Sequence, residues 1–252
     1  MSVEACASIV EKGDPPRFRA VMAAPVAARD KLFPLYAFNV EVARAPWVTS
    51  EPGIAEIRLQ WWIDALGEIA EGAPVRQHEV VVPLAMVVTP EQARGLIPLI
   101  EARQWDIYRD PFADTDALLA YLGQTSGRLL ETAAALLGQV DPVPAQKAGL
   151  AQGIANWLVA APALQSAGKQ PLPGDTPDAL RALAEVGLEA LRTARGMTIA
   201  PGARPAFHVA AEAGAILSTA RKDPRAVAER RLVPSPFKSN ILLYKSVLTG
   251  RF

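Results

Sequence analysis

The sequence predicts an all-α chain folded as a single domain over residues 1–252. Three observations carry this. Alanine and leucine, both strong helix formers, dominate, while aromatic residues make up only 6% and β-branched runs are few. Apolar residues recur at three- and four-residue steps across long windows. Proline- and glycine-rich strings separate those windows: GQVDPVP after Leu137, KQPLPGDTP after Gly168 and APGARP after Ile199. Each is short enough to be an inter-helix loop, and none is a low-complexity linker that would divide the chain.

In chain order, residues 30–44 read as a helix, with Leu32, Leu35, Tyr36, Val40 and Ala43 available for one face. Pro34 falls in its first turn or kinks it, and Pro46 stops it. Residues 54–70 are the clearest helix, because Ile54, Ile57, Trp61, Ala65 and Ile69 recur with Glu56, Asp64 and Glu68 between them. The stretch EVVVPLAMVV, residues 79–88, is β-branched enough for a strand. A lone strand would lack a partner, so a buried helix is the expectation. Further helices are predicted at 90–108, 115–138, 144–164, 178–195, 205–220 and 235–248. The total is about eight to ten helices of ~12–20 residues.

Composition excludes several classes. Half the residues are apolar and 21% are charged, so the chain is not disordered. Lys plus Arg equals Asp plus Glu at 26 each, which argues against a whole-chain nucleic-acid binder. With Cys6 alone, neither an intrachain disulfide nor a cysteine-based zinc site can form, and a reducing compartment is the natural setting. Residues 1–14 carry Glu4, Glu11 and Asp14 and no arginine, unlike a signal peptide or a mitochondrial presequence. The longest apolar runs, 80–88 and 157–164, fall far short of the roughly 20 residues a spanning helix needs. A cytoplasmic protein is expected, with peripheral contact at an inner membrane left open.

Common catalytic signatures are missing. There is no GxGxxG, GxxxxGK[ST] or GxSxG string. His78 and His208 are far apart and read as surface or satisfied core residues rather than metal ligands. Asp106 and Asp110 in WDIYRD are four apart and would share a helix face, a spacing that can hold magnesium. Asp110, Asp114 and Asp116 surround Pro111, and DPFADTD reads as a loop ending in a helix N-cap. Glu185 and Glu189 fit a solvated helix face. The adjacent Trp61 and Trp62 point about 100° apart, so one enters the core and the other lies at its edge, or they wall an apolar ligand.

The order of motifs resembles the squalene/phytoene synthase family. LFPLYAFNVEVARAPWVTSEPGIAEIRLQWWIDAL resembles its opening helices. DALLAYLGQTSGRLLETAAALLG resembles a later helix, with Tyr121 and Gly127 at matching places. AQGIANWLVAAPALQSAGKQPLP resembles the next helix and its loop. The resemblance implies an isoprenoid-synthase-type helical bundle around a central cavity, in which two aspartate-rich helices hold magnesium against the diphosphates of prenyl substrates. Clustered cations turn diphosphate into a good leaving group.

Both acidic clusters are missing. By alignment with the family, Ala43 and Trp47 replace the first aspartate pair, and Ala160 and Leu164 replace the second. Alanine and leucine cannot coordinate magnesium. No catalytic residue, metal or cofactor is therefore expected; magnesium enters only if displaced acids such as Asp106 and Asp110 restore activity. Candidate cavity and ligand residues are Tyr36, Asn39, Glu41, Arg44, Arg58, Trp61, Trp62, Tyr121, Gln124, Gly127, Asn156 and Trp157. Arg44 stands where the family places acids and either meets a phosphate or forms a surface ion pair.

FNVEVA, the turn at Ser50, Glu51 and Pro52, and IRLQWW resemble a branch of this family without the acidic clusters. That branch includes a mitochondrial assembly factor for respiratory complex I, and a bacterial, cytoplasmic member of it is implied here. The implied function is a non-catalytic assembly helper with a respiratory-complex subunit as partner. The alternatives are a prenyl-diphosphate transferase with displaced acids and an isoprenoid or lipid binder using the inherited cavity.

From Thr219 onward, eight basic residues (Arg221, Lys222, Arg225, Arg230, Arg231, Lys238, Lys245 and Arg251) stand against Asp223 and Glu229, a net +6. This end either docks on the domain with a solvated basic face or touches anionic lipid.

Overall fold

The computed structural model describes residues 2–49, 51–108 and 110–252. Among them every regular element is helical. Two helices that the sequence reading did not anticipate come first, α1 (Val3–Gly13) and α2 (Pro15–Met22). Asp14 joins them: its carboxylate accepts from the Arg17 amide at 3.0 Å, with Pro15 and Pro16 in the first turn of α2. Helix α3 (Val26–Arg44) begins four residues before the predicted start. Pro34 is therefore interior and buried, and the helix runs through it although the proline has no N–H to give to the preceding turn. A 3₁₀ turn, Ala45–Trp47, follows. Ser50, part of the predicted turn before α4, lies outside the described residues.

Helix α4 (Pro52–Glu71) buries Ala55, Leu59, Trp62, Leu66 and Ile69. This stripe is rotated from the predicted one, and Ile54 and Ile57 face solvent at 47% and 70% exposure. The same three-to-four periodicity serves both stripes, and packing against the core selects the one containing Leu59 and Trp62. The β-branched stretch is helical as expected: α5 (Val81–Val87) buries Val81, Pro83 and Leu84.

Helix α6 (Pro90–Ala102) starts at a capping box in which Thr89 and Gln92 satisfy each other's backbone amides. It stops short of the predicted end and tightens into a 3₁₀ turn, Arg103–Asp106. The predicted helix 115–138 is α7 (Thr115–Leu122), a π-turn at Gly123–Gly127, and α8 (Arg128–Leu136). Asp114 caps α7 by accepting from the Ala117 amide at 2.8 Å, the expected role for an acid of that loop.

Helix α9 (Val143–Ser166) is apolar nearly all round and runs through the core. It packs against α8, the π-turn, α10 (Pro177–Gly196) and α11 (Ala213–Lys222). The predicted helix 205–220 divides into a 3₁₀ segment, Pro201–Ala210, and α11. Pro201 and Pro205 each remove an N–H that an α-helix would use. Short α12 (Arg225–Ala228) and terminal α13 (Pro236–Thr249) complete the chain. One cluster of buried side chains extends from Cys6 to Phe252. Burial raises the Cys6 thiol to about 11, so it stays protonated and unreactive.

The crossing of α9 with the π-turn positions the site described below, and Gly149 makes it possible. A Cβ there would stand 2.6 Å from the Ser126 carbonyl oxygen and 2.8 Å from Gly127 Cα. Both are backbone atoms that cannot swing away. Gly149→Ala is expected to cost about 1–3 kcal/mol, as overpacked cores do. Gly67→Ala, in α4 with nothing within 4 Å, is expected to be neutral or stabilising by up to about 1 kcal/mol. Chemical denaturation midpoints of the two variants test the contrast.

Candidate functional site

A cavity of about 290 Å³ opens between α3, the α7–α8 segment and α9. The four motif positions Ala43, Trp47, Ala160 and Leu164 all line it. Two come from α3 and its 3₁₀ extension and two from the end of α9, so the helices that sequence comparison singled out do face each other across one space. None of the four brings an oxygen ligand on its side chain.

The carboxylates that line this cavity, Asp14 and Asp106, come from elsewhere, and each is held by an arginine. Arg17 Nη1 donates to Asp14 at 2.7 Å. Its guanidinium is buried and lies over the Tyr36 ring, 5.0 Å from the centroid. Arg103 Nη1 donates to Asp106 at 3.1 Å and to the Tyr121 hydroxyl at 2.8 Å, while that hydroxyl lies 3.0 Å from both Asp106 oxygens. Burial works against the Arg103 charge, but Tyr121 and Asp106 outweigh it and hold the guanidinium protonated. Burial pushes the Tyr121 hydroxyl well above its usual range, against the pull of Arg103. Tyr36 is raised to about 12, chiefly by burial. Both phenols are therefore protonated near neutral pH.

Aromatic rings form the inner wall. Tyr121 and Trp157 line the cavity and meet edge-on at 5.2 Å, and Trp105, stacked on Phe112 at 4.2 Å, packs against both of them. Trp157 Nε1 donates to the Pro171 carbonyl at 2.8 Å, which ties α9 to its following loop. From that loop Lys169 reaches back. Its ammonium donates to the carbonyls of Asp106 at 2.7 Å and Tyr108 at 2.5 Å, and lies over the rings of Trp47 and Trp105.

The other candidates are distributed unevenly. Asn39 and Asn156 line the cavity with Tyr121 and Trp157. Gly127 is buried where α9 crosses. Gln124 and Arg58 are exposed. Arg44 is not in the cavity; it pairs with Glu41 at 3.2 Å beside a separate groove that includes Lys12 and Glu79. The expectation that Tyr36, Trp61 and Trp62 line the cavity needs correcting. Tyr36 is buried beneath Arg17, and its hydroxyl has no hydrogen-bond partner among the described residues. Trp62 is in the core against Phe38, and Trp61 lies half-buried against Trp62 and His78. Asp106 and Asp110 do not share a helix face, because the helix has already ended at Ala102; Asp106 is buried and Asp110 exposed. Glu185 and Glu189 bind Arg221 and Arg192 on the surface.

Asp14, Arg17 and Arg103 were not anticipated. Only the Asp-Pro-Pro-Arg string, a helix-start signal, marked the first two in the sequence.

A family model described as squalene/phytoene synthase matches residues 10–176. The chain belongs to the squalene/phytoene synthase family. It is 29% identical over 175 residues to NADH dehydrogenase (ubiquinone) complex I, assembly factor 6, of Homo sapiens, covering 68% of this chain and 52% of that protein. The protein of the same name from Bos taurus is 29% identical over 162 residues, 62% of this chain and 48% of that one. The matched segment thus spans about half the length of these curated relatives. A crystal structure of a dehydrosqualene synthase in complex with ligand aligns with a TM-score of 0.77 at 17% identity, over 98% of this chain and 95% of that one. The squalene/phytoene synthase fold therefore extends past the matched segment to the end of the chain.

The magnesium that this family's fold implies does not fit the residues present. Magnesium bound against diphosphate needs free oxygen ligands. Here the cavity carboxylates are engaged by Arg17 and Arg103, and among the described residues no group of three or more His, Cys, Asp or Glu could hold a metal.

Asp106→Asn leaves the Arg103 charge without its counter-ion and is expected to cost about 3–5 kcal/mol. Tyr121→Phe removes the hydroxyl that accepts from Arg103 and donates to Asp106, and is expected to cost about 1–3 kcal/mol; equilibrium unfolding reads both. Separately, burial depresses His208 to about 4 against 6.5 in the unfolded chain. Between these values the unfolded state binds more protons. Stability is therefore expected to fall as pH drops from about 6.5 towards 4, and His208→Gln is expected to flatten that slope in melting curves across the range.

Proposed function

We propose that this chain is a non-catalytic squalene/phytoene-synthase-like protein that assists assembly of respiratory complex I. One observation carries the first half: Ala43, Trp47, Ala160 and Leu164 converge on one cavity without a carboxylate. The acids that do reach it are neutralised by the protein's own arginines. The second half is supported by the relatives named as assembly factors, from two mammals at 29% identity. The partner under this reading is a subunit or intermediate of the respiratory complex, met in a cytoplasmic bacterial setting.

The displaced-acid enzyme is the weaker reading, because Asp106 and Asp110 do not come together and Asp106 is already ion-paired. The lipid binder retains a cavity with Tyr121 and Trp157 in its wall, at the small end of ligand-pocket volumes.

Purified protein incubated with farnesyl or geranylgeranyl diphosphate is expected to release no diphosphate, with or without magnesium. Deletion of the gene from its host is expected to lower complex I activity, restored by the wild-type copy. Magnesium-dependent release would return the enzyme reading to first place, and unchanged complex I activity would remove the assembly role.

A further inference from the structure

The terminal helix half-buries Leu242 and Leu243 beside two buried serines and leaves a longer apolar stripe in water. Its inward face carries Ser239 and Ser246, buried to 4% and 1% exposure. The Ser246 hydroxyl is seated 2.9 Å from His208 Nδ1. Its outward face carries Phe237, Ile241, Tyr244 and Leu248, at 76%, 49%, 68% and 83% exposure. Steps of four, three and four place these side chains in one stripe, about 180° from the two serines. Large apolar side chains in a continuous exposed stripe mark a surface that is covered in use.

The stripe does not stop at the helix. Val247 and Leu248 line a groove together with Ala23 and Pro25, and beyond the groove Met22 and Val26 are exposed at 42% and 66%.

Charge decides what covers it. Helix α13 has no aspartate or glutamate. Lys238 and Lys245 lie on the same flank of the stripe, about 80–100° round the helix from Phe237. Arg251 follows the helix, and Arg204 packs against Gly250 at its end. A second copy of this chain, packed stripe to stripe, would offer these lysines no acid from its own α13. An anionic lipid surface offers both halves of the complement. Acyl chains and glycerol take the apolar stripe, and headgroup phosphates meet the lysines, whose stems reach outward along the stripe's edge. Tyrosine is also at home at that depth.

Length fixes the geometry of docking. Fourteen residues make a helix of about 21 Å, short of the ~30 Å hydrocarbon core. No helix among the described residues is long and apolar enough to cross a membrane. We infer that α13 lies in the plane of an anionic bilayer surface, with Phe237, Ile241, Tyr244 and Leu248 inserted and Lys238 and Lys245 at the headgroups. This inference is independent of the assembly reading, since a lipid-docked protein can serve many purposes.

Co-sedimentation of the full chain with vesicles is the test, comparing pure phosphatidylcholine with vesicles holding about one-third phosphatidylglycerol. The wild type is expected to partition onto the phosphatidylglycerol vesicles, and less so in high salt. A Phe237→Ser, Tyr244→Ser, Leu248→Ser variant and a Lys238→Glu, Lys245→Glu variant are each expected to lose on the order of ten-fold or more in partitioning. These side chains point to solvent, so unchanged melting temperatures are expected to show that the variants remain folded. Failure of the wild type to bind phosphatidylglycerol vesicles, or undiminished binding by the stripe variant, overturns the inference. A concentration-dependent dimer that the stripe variant abolishes, with no vesicle binding, assigns the face to a second copy and also overturns it.

Discussion

Asp106, Arg103 and Tyr121 bond to one another inside the protein. The three side chains come from the 3₁₀ turn after α6 and from α7, so their bonding fixes how those elements meet. Around this knot the rest of the site is arranged. Trp105, one residue before Asp106, stacks on Phe112 and leans on Trp157 of the central helix. Lys169 closes the loop after α9 onto the Asp106 carbonyl. A buried ion pair contributes little net stability over an apolar pair of similar size, but it tolerates no loss of one member. The constraint thus acts on arrangement: the buried pair holds the cavity wall in place.

That has a chemical consequence. Diphosphate departure requires positive charge gathered on the leaving group, and the family's fold arranges this by presenting carboxylates to a metal. In this chain the facing positions on α3 and its 3₁₀ extension and on α9 carry alanine, tryptophan and leucine, and of the nearby cations Arg17 and Arg103 pair with aspartates while Lys169 donates to backbone carbonyls. The scaffold persists while each acid that reaches its cavity is paired with an arginine. Under the proposed reading, what the fold retains is a rigid helical body whose outer surfaces can be used for recognition.

Much of this was legible in the sequence, for identifiable reasons. Helix positions followed from periodicity and from proline and glycine punctuation. The stretch at α5 was resolved by asking where a strand would pair. The convergence of positions 43, 47, 160 and 164 could be anticipated because two motif blocks identified the helices that carry them. The sequence did not show where proline tightens a helix into a 3₁₀ turn, as at Pro201–Ala210, nor where α6 would end. The stripe that α4 buries was also misjudged, since Ile57 and Leu59 are equally good apolar residues and only tertiary packing chooses between them. The site's charged residues were hidden for a related reason. Asp14 and Arg17 come from the chain's start, and only folding brings them against α3 and α9.

The acids that reach the cavity are each paired with an arginine, which leaves no carboxylate free to hold a metal against diphosphate. A thermal melt of the purified protein titrated with magnesium and inorganic diphosphate, singly and together, tests it most directly, because any ligand bound by the folded state raises the melting temperature. The combination is expected to give no more shift than either salt alone. A saturable rise that needs both together would contradict it.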